Sequence, residues 1–365
     1  MVLVTDGYTT PNGATQQELT AYLQVNQIRV EHRFFPPSAP TVPDWSKLTI
    51  AQSAQDLHAV VSSFKALYPG KWVSTGASKS GMTSVYFRYH FPDDVAATVP
   101  YVAPSSHGLS DARYVQFLSR VGLDQCRADL RRFQEIALAR RDEVLPLVPD
   151  YGFDVYGIER SYEFALLELP FSFWQYSNES HCPDIPGPGA SASELLDFIE
   201  SAIGMSSYGI ASMTHYAPYY YQAATQLGVP RVDTRALGEL LYYPREGDTA
   251  SYPPLGVEKR FDASVMPRVE SWVRNQGQRM IFIYGENDPW STGPFEVSAR
   301  NDAWRFYVRG TGGNHGANLT RLTVDEREFA LARLREWLAM PPARQSVPVE
   351  PVRFDEPTRA ELFLR

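Results

Sequence analysis

The 365-residue chain is short of several things, and each shortage narrows what it does. It has only two cysteines, Cys126 and Cys182, too few and too far apart for a zinc site. A disulfide between them is the alternative to two unrelated buried thiols, and export from the cytoplasm would favour it. Lysine is scarce, five against 29 arginines, and acidic residues outnumber basic ones for a formal net charge of −8. With no basic face to condense on phosphates, the balance argues against nucleic acid as a partner. No apolar run reaches the roughly 18 to 20 residues a membrane-spanning helix needs. Nor does the start show the basic and then apolar segments of a signal peptide. Met1-Val2-Leu3-Val4 is already strand-like, so the natural protein is expected to begin earlier, with a secretion signal, and to work outside the cell or in the periplasm. No pattern calls for a metal or a cofactor.

What is present is the rhythm of an α/β chain. Through the first hundred residues short β-branched runs alternate with helical patterns, the signature of a mostly parallel sheet. Val2-Leu3-Val4 leads to a turn at Asp6-Gly7, and Ile28 to Phe34 reads as the next strand. Ile50, Ala54, Leu57, Val61, Phe64 and Tyr68 recur at helical spacing and predict one buried face. Lys71 to Ser74 reads as a strand, Ser80 to Phe91 as a helix and Ala97 to Val102 as another strand. Strands return at Arg279 to Tyr284 and Trp304 to Val308, before a last helix near Asp325 to Met340. Between them, residues 105–261 change to helices and aromatic-rich loops with Pro/Gly joints. The expected organisation is a catalytic domain of residues 1–104 and 262–345, an inserted helical cap of residues 105–261 holding both cysteines, and a tail of residues 346–365.

One stretch carries chemistry. Gly76-Ala77-Ser78-Lys79-Ser80 follows a strand and opens a helix, as does a nucleophile elbow, whose small residues let strand and helix close around a strained serine. Centring the pattern on Ser80 would put Met82 where a small residue is required, so Ser78 is the candidate nucleophile. A serine needs a base, and the base needs a carboxylate to hold its tautomer. In this architecture they follow in the order Ser, Asp, His, each in a loop after a late strand. Asp288 lies in Gly285-Glu286-Asn287-Asp288-Pro289-Trp290 and His315 in Gly312-Gly313-Asn314-His315-Gly316. Both loops follow apolar strands. Glu286 and Asp302 are the other carboxylates nearby, but Asp302 precedes a strand, and no other histidine lies in such a loop. The oxyanion donors are expected from the backbone N–H of Lys79 and from the Gly7-Tyr8 turn. The Lys79 ammonium itself reads as solvated in the first helical turn.

The chain resembles the secreted actinomycete tripeptidyl and prolyl tri/tetrapeptidyl aminopeptidases, the PS-10 type serine peptidases. The resemblance runs through Thr5-Asp6-Gly7-Tyr8, Glu31-His32-Arg33-Phe34-Phe35, Asp44-Trp45-Ser46-Lys47-Leu48, Thr75 to Thr83, Tyr101-Val102-Ala103-Pro104, Phe173-Trp174-Gln175-Tyr176 and the loops of Asp288 and His315. Where that family usually has glycine, this chain has Ser80. A more distant similarity links it to prolyl carboxypeptidase and dipeptidyl peptidase 7-like enzymes, through the Glu-His-Arg strand, the Asp-Pro-Trp loop and Tyr221 to Gln226 in the cap. The resemblance implies an α/β-hydrolase in which Ser78, Asp288 and His315 are nucleophile, orienting acid and base. It also implies peptide substrates, cut to release short peptides from a free N-terminus, often after proline. Phe171, Phe173, Trp174 and Tyr176 would then line a proline pocket together with Trp290, although ordinary cap core is the preferred reading of the four. A carboxylesterase or lipase with the same three residues, or an inactive binding protein on the same fold, are the alternatives.

Overall fold

The computed structural model describes residues 1–243 and 252–341, so the expected tail of residues 346–365 lies outside the described residues. The chain divides into two compact units. One takes Met1–Ser105 and resumes at Asp262, and the other is Ser106–Phe261.

The first unit is built on six parallel strands in the order β2-β1-β3-β4-β5-β6. They are β1 (Val2–Thr5), β2 (Gln27–Val30), β3 (Val73–Ala77), β4 (Ala97–Tyr101), β5 (Ile281–Gly285) and β6 (Trp304–Val308). Central strands such as β1, β4 and β5 are apolar on both faces because helices cover both. Leu3 points to a core with Ala54, Leu57, Val61, Trp72 and Phe87. Val2 and Val4, one residue either side, point to the opposite core with Leu19, Leu23, Leu334 and Trp337. That alternation is the period of two of a pleated strand. The parallel sheet wrapped by helices is the α/β-hydrolase arrangement expected from the sequence.

Three helices of this unit matter to the site: α1 (Glu18–Leu23), α2 (Ile50–Lys65) and α3 (Lys79–His90). Thr49 caps α2, its hydroxyl accepting from the Gln52 N–H. The predicted apolar face of α2 holds from Ile50 to Val61 but then runs out: Phe64 is 38% and Tyr68 39% exposed. The helix stops at Lys65, which takes Tyr68 out of register. The second strand is also shorter than its sequence suggests. It ends at Val30, and at Phe34 the backbone turns left-handed, with φ 71°, which no strand tolerates.

The second unit is helical. Its core gathers Leu130, Phe133, Phe164, Leu195, Phe198 and Ile199 from the helices Asp124–Ala139, Ile158–Tyr176 and Ala192–Ala202. Cys126 and Cys182 are joined in a disulfide, their Cα atoms 5.3 Å apart. The bond ties the helix Asp124–Ala139 to the turn that follows Ile158–Tyr176.

Candidate active site

Ser78 stands between β3 and α3 with φ 56° and ψ −126°, a conformation that costs a side-chain-bearing residue of order 1–3 kcal/mol. The strain is held by close packing around it. A Cβ added to Gly76 would lie 2.6 Å from the backbone carbonyl carbon of Ser80, so only glycine lets the strand lie this close to the helix. The Ser78 N–H donates to Tyr101 O at 2.9 Å, at the end of β4. Ser80 does more than stay small: its hydroxyl donates to Thr5 O at 2.7 Å, while the Thr5 hydroxyl donates to Ser80 O at 2.9 Å. The end of β1 is thereby laced to the first turn of α3.

Asp288 follows β5 and His315 follows β6, so both share the carboxyl edge of the sheet with Ser78. Asp288 Oδ2 and His315 Nδ1 are 2.7 Å apart, with side chains 0% and 1% exposed. A carboxylate oxygen accepts, so the tautomer that fits this contact carries its proton on Nδ1 and leaves Nε2 as the basic nitrogen. The other carboxylate oxygen, Oδ1, accepts from the Trp290 N–H at 3.1 Å, and the turn is fixed by Ser291 N–H donating to Asp288 O. The two loops are knitted by backbone: Asn287 N–H to Gly313 O at 2.7 Å and Glu286 N–H to Val308 O at 3.0 Å. Glu286, an alternative acid in the sequence, is spent on the Gly310 N–H at 2.7 Å. Asp302 is equally committed, to Arg333 and Trp337.

The Gly7-Tyr8 turn lies against the elbow, since a Cβ on Gly7 would sit 2.6 Å from Ser80 N and 2.8 Å from the Lys79 carbonyl carbon. It is braced from below. Asp6 accepts from Nε and Nη2 of Arg29 and from the Thr10 hydroxyl, although burial still pushes its pKa up. Glu31 accepts from the N–H groups of Thr10 and Ser38. In the same Glu-His-Arg run, Arg33 grips Asp56 with two nitrogens. His32 is buried and pairs with Arg33 O and Ser53 Oγ. The motif that carried a family resemblance is thus a scaffold for this turn.

One expectation needs correction, and for Trp174 the structure favours the preferred of its two readings. Lys79 is 3% exposed rather than solvated, because the Tyr8 and Phe35 rings, brought in by other loops, cover it. Trp174 is fully buried in the core of the helical unit, packed on Gly122, where a Cβ would overlap its ring. It is core rather than pocket wall. Phe173 is buried with it, while Phe171, Tyr176 and Trp290 are half-buried. Among the described residues no group of His, Cys, Asp and Glu is arranged to hold a metal, and no helix is long and apolar enough to cross a membrane.

Glu18 carries no signal in the sequence that marks it as part of the site's frame. This α1 residue is 2% exposed and accepts from the N–H groups of Leu319 and Thr320 and from the Thr320 hydroxyl, at 3.1, 2.8 and 2.6 Å. It anchors the chain four residues beyond His315. Burial raises its pKa, against the pull of these donors. A carboxyl with a raised folded pKa favours the fold below its unfolded value of 4.5 and loses that contribution as pH rises through the folded value. Glu18→Ala would strand two backbone donors, and the expected cost is about 2–4 kcal/mol in denaturant unfolding. Glu18→Gln, which keeps an acceptor, should cost less than half as much and should flatten the pH dependence.

Comparisons with known proteins follow the same line. Residues 1–354 match the family model of the PS-10 peptidases, peptidase S37. A prolyl tri/tetrapeptidyl aminopeptidase of Streptomyces mobaraensis is 40% identical over 353 residues, 93% of this chain and 73% of that one. Two solved structures align across 93% of this chain and 89% of their own. They are VinJ, at 12% identity and TM-score 0.39, and a proline iminopeptidase of Mycobacterium smegmatis, at 14% and 0.41. The chain belongs to the PS-10 peptidases, family S37, and is a serine peptidase.

Proposed function

We propose that Ser78, Asp288 and His315 are its nucleophile, orienting acid and base, and that it releases tri- or tetrapeptides ending in proline from free amino termini. The observation that carries the site assignment is the buried 2.7 Å pair of Asp288 and His315, on the same sheet edge as a serine held at positive φ. His315 Nε2 takes the Ser78 proton as Oγ attacks the peptide carbonyl. The N–H groups of Lys79 and Tyr8 receive the oxyanion. When the tetrahedral species collapses, His315 returns the proton to the leaving amine, and water repeats the cycle on the acyl-enzyme. Trp290, in the acid loop, is the candidate contact for the substrate's proline ring. The substrate class is supported by the Streptomyces relative. We place the enzyme outside the cytoplasm, secreted or periplasmic, because Cys126 and Cys182 form a disulfide, a bond that persists in oxidising compartments.

The test is hydrolysis of Ala-Ala-Pro-nitroanilide with a free amino terminus. Release of nitroaniline, lost on N-acetylation of the substrate, is expected. Turnover of p-nitrophenyl butyrate with no cleavage of the anilide would instead mark a carboxylesterase. Failure of a fluorophosphonate to label Ser78 would mark an inactive binding protein.

A further inference from the structure

The Lys79 side chain is unexplained by its neighbours in sequence. Its ammonium lies 5.7 Å from the centre of the Tyr8 ring and 5.9 Å from that of Phe35. These two rings meet edge to face at 5.4 Å, and His32 packs edge-on against Phe35 at 5.9 Å. The cage is closed by backbone, with the His32 N–H donating to Tyr8 O and the Phe35 N–H to His32 O, both at 3.2 Å. No carboxylate among the described residues lies within ion-pair distance of the ammonium. The carboxylates nearby in the sequence of the cage are spoken for, Asp6 by Arg29 and Glu31 by two backbone donors.

Burying a charge without an ionic partner is more costly than burying an apolar side chain of the same shape. Methionine would fill this space at lower cost. A buried lysine at such a place points to function rather than stability. Its location supplies one: Lys79 follows Ser78 directly, and the ring beside its ammonium belongs to Tyr8, whose N–H is proposed above as the second oxyanion donor.

We propose that Lys79 is a positioning residue of the oxyanion turn, its ammonium gripping the Tyr8 ring so that the Gly7-Tyr8 peptide is held against the elbow. This rests on the proposed assignment of Ser78 as nucleophile and of the Tyr8 N–H as oxyanion donor. Only the charged form grips a ring face strongly. Burial lowers the Lys79 pKa to about 7, so the grip weakens as pH rises through neutrality. The other titratable groups at the cage are the Tyr8 phenol and His32, whose pKa is held well below its usual value by burial and by Lys79 itself. Arg33, beyond His32, is paired with Asp56.

The experiment is Lys79→Met, followed by kcat and KM for the peptide anilide from about pH 5 to about pH 9, by the rate of fluorophosphonate labelling and by thermal melting. The expected result is kcat lowered about tenfold or more with KM within about twofold. The wild-type decline in kcat above neutral pH should vanish in the variant, and Tm should hold or rise by a few degrees as the buried charge is removed. A variant with wild-type kcat and pH profile would overturn the proposal. So would one that melts early or fails to fold, since lysine would then be structural. Labelling of the wild-type enzyme at Ser78 needs no peptide substrate and reports separately on the nucleophile.

Discussion

Asp288→Asn should lower kcat by about 10⁴-fold while leaving the fold intact. The reason lies in the single proton between the two side chains. Asp288 offers only acceptors, so His315 must carry its proton on Nδ1, 2.7 Å away. An asparagine turned to donate there would force the proton onto Nε2, the nitrogen that the proposed mechanism needs free. The Trp290 N–H can still be satisfied by the amide oxygen, which is why circular dichroism and thermal melting should change little. Ser78→Ala gives the floor for comparison. A variant with more than a tenth of wild-type kcat on the peptide anilide would remove Asp288 from the mechanism.

Gly285→Ala should be the most damaging single methyl group in the first unit. Gly285 ends β5, and an added Cβ would lie 2.3 Å from Asn314 O and 2.4 Å from Gly313 O. Both obstacles are backbone, and neither can rotate away as a side chain would. The loop of His315 must therefore lift from the loop of Asp288. Overpacking of this kind costs about 1–3 kcal/mol, and, with His315 as the proposed base, a displacement of about 1 Å is worth about a hundredfold in rate. Guanidinium unfolding and kcat measured together should show both losses. Gly187→Ala is the control, because an added Cβ there meets nothing within 4 Å. If Gly285→Ala matched Gly187→Ala in stability and rate, the packing argument would fail.

The elements that frame the site were legible because their signals are local. Ser78, Asp288 and His315 each follow a short apolar run and precede a turn, and the order of the three is a property of the chain. Glu18 illustrates the opposite case. Its partners stand 301 and 302 residues away, and nothing in the sequence around α1 distinguishes it from a surface glutamate. Lys79 misled for a related reason, since helical position alone suggests solvent while the rings that cover it arrive from residues 8 and 35. Trp174 was ambiguous because aromatic residues spaced along a helix look alike whether they face a ligand or a core. The helix Val265–Gln276 was missed outright, although Val265, Val269, Trp272 and Val273 recur at helical spacing.

The Cys126–Cys182 bond spans 56 positions of sequence, and that turns part of the helical unit into a covalent ring. Where another peptidase cuts a folded chain, exposed loop tips are where the nick falls. A cut between the two cysteines opens the ring without releasing a fragment, because both sides stay tethered through sulfur. Such a molecule would run at full mass on a gel until reductant is added. The bond therefore makes this stretch tolerant of damage that would divide a thiol-only version of the same chain in two.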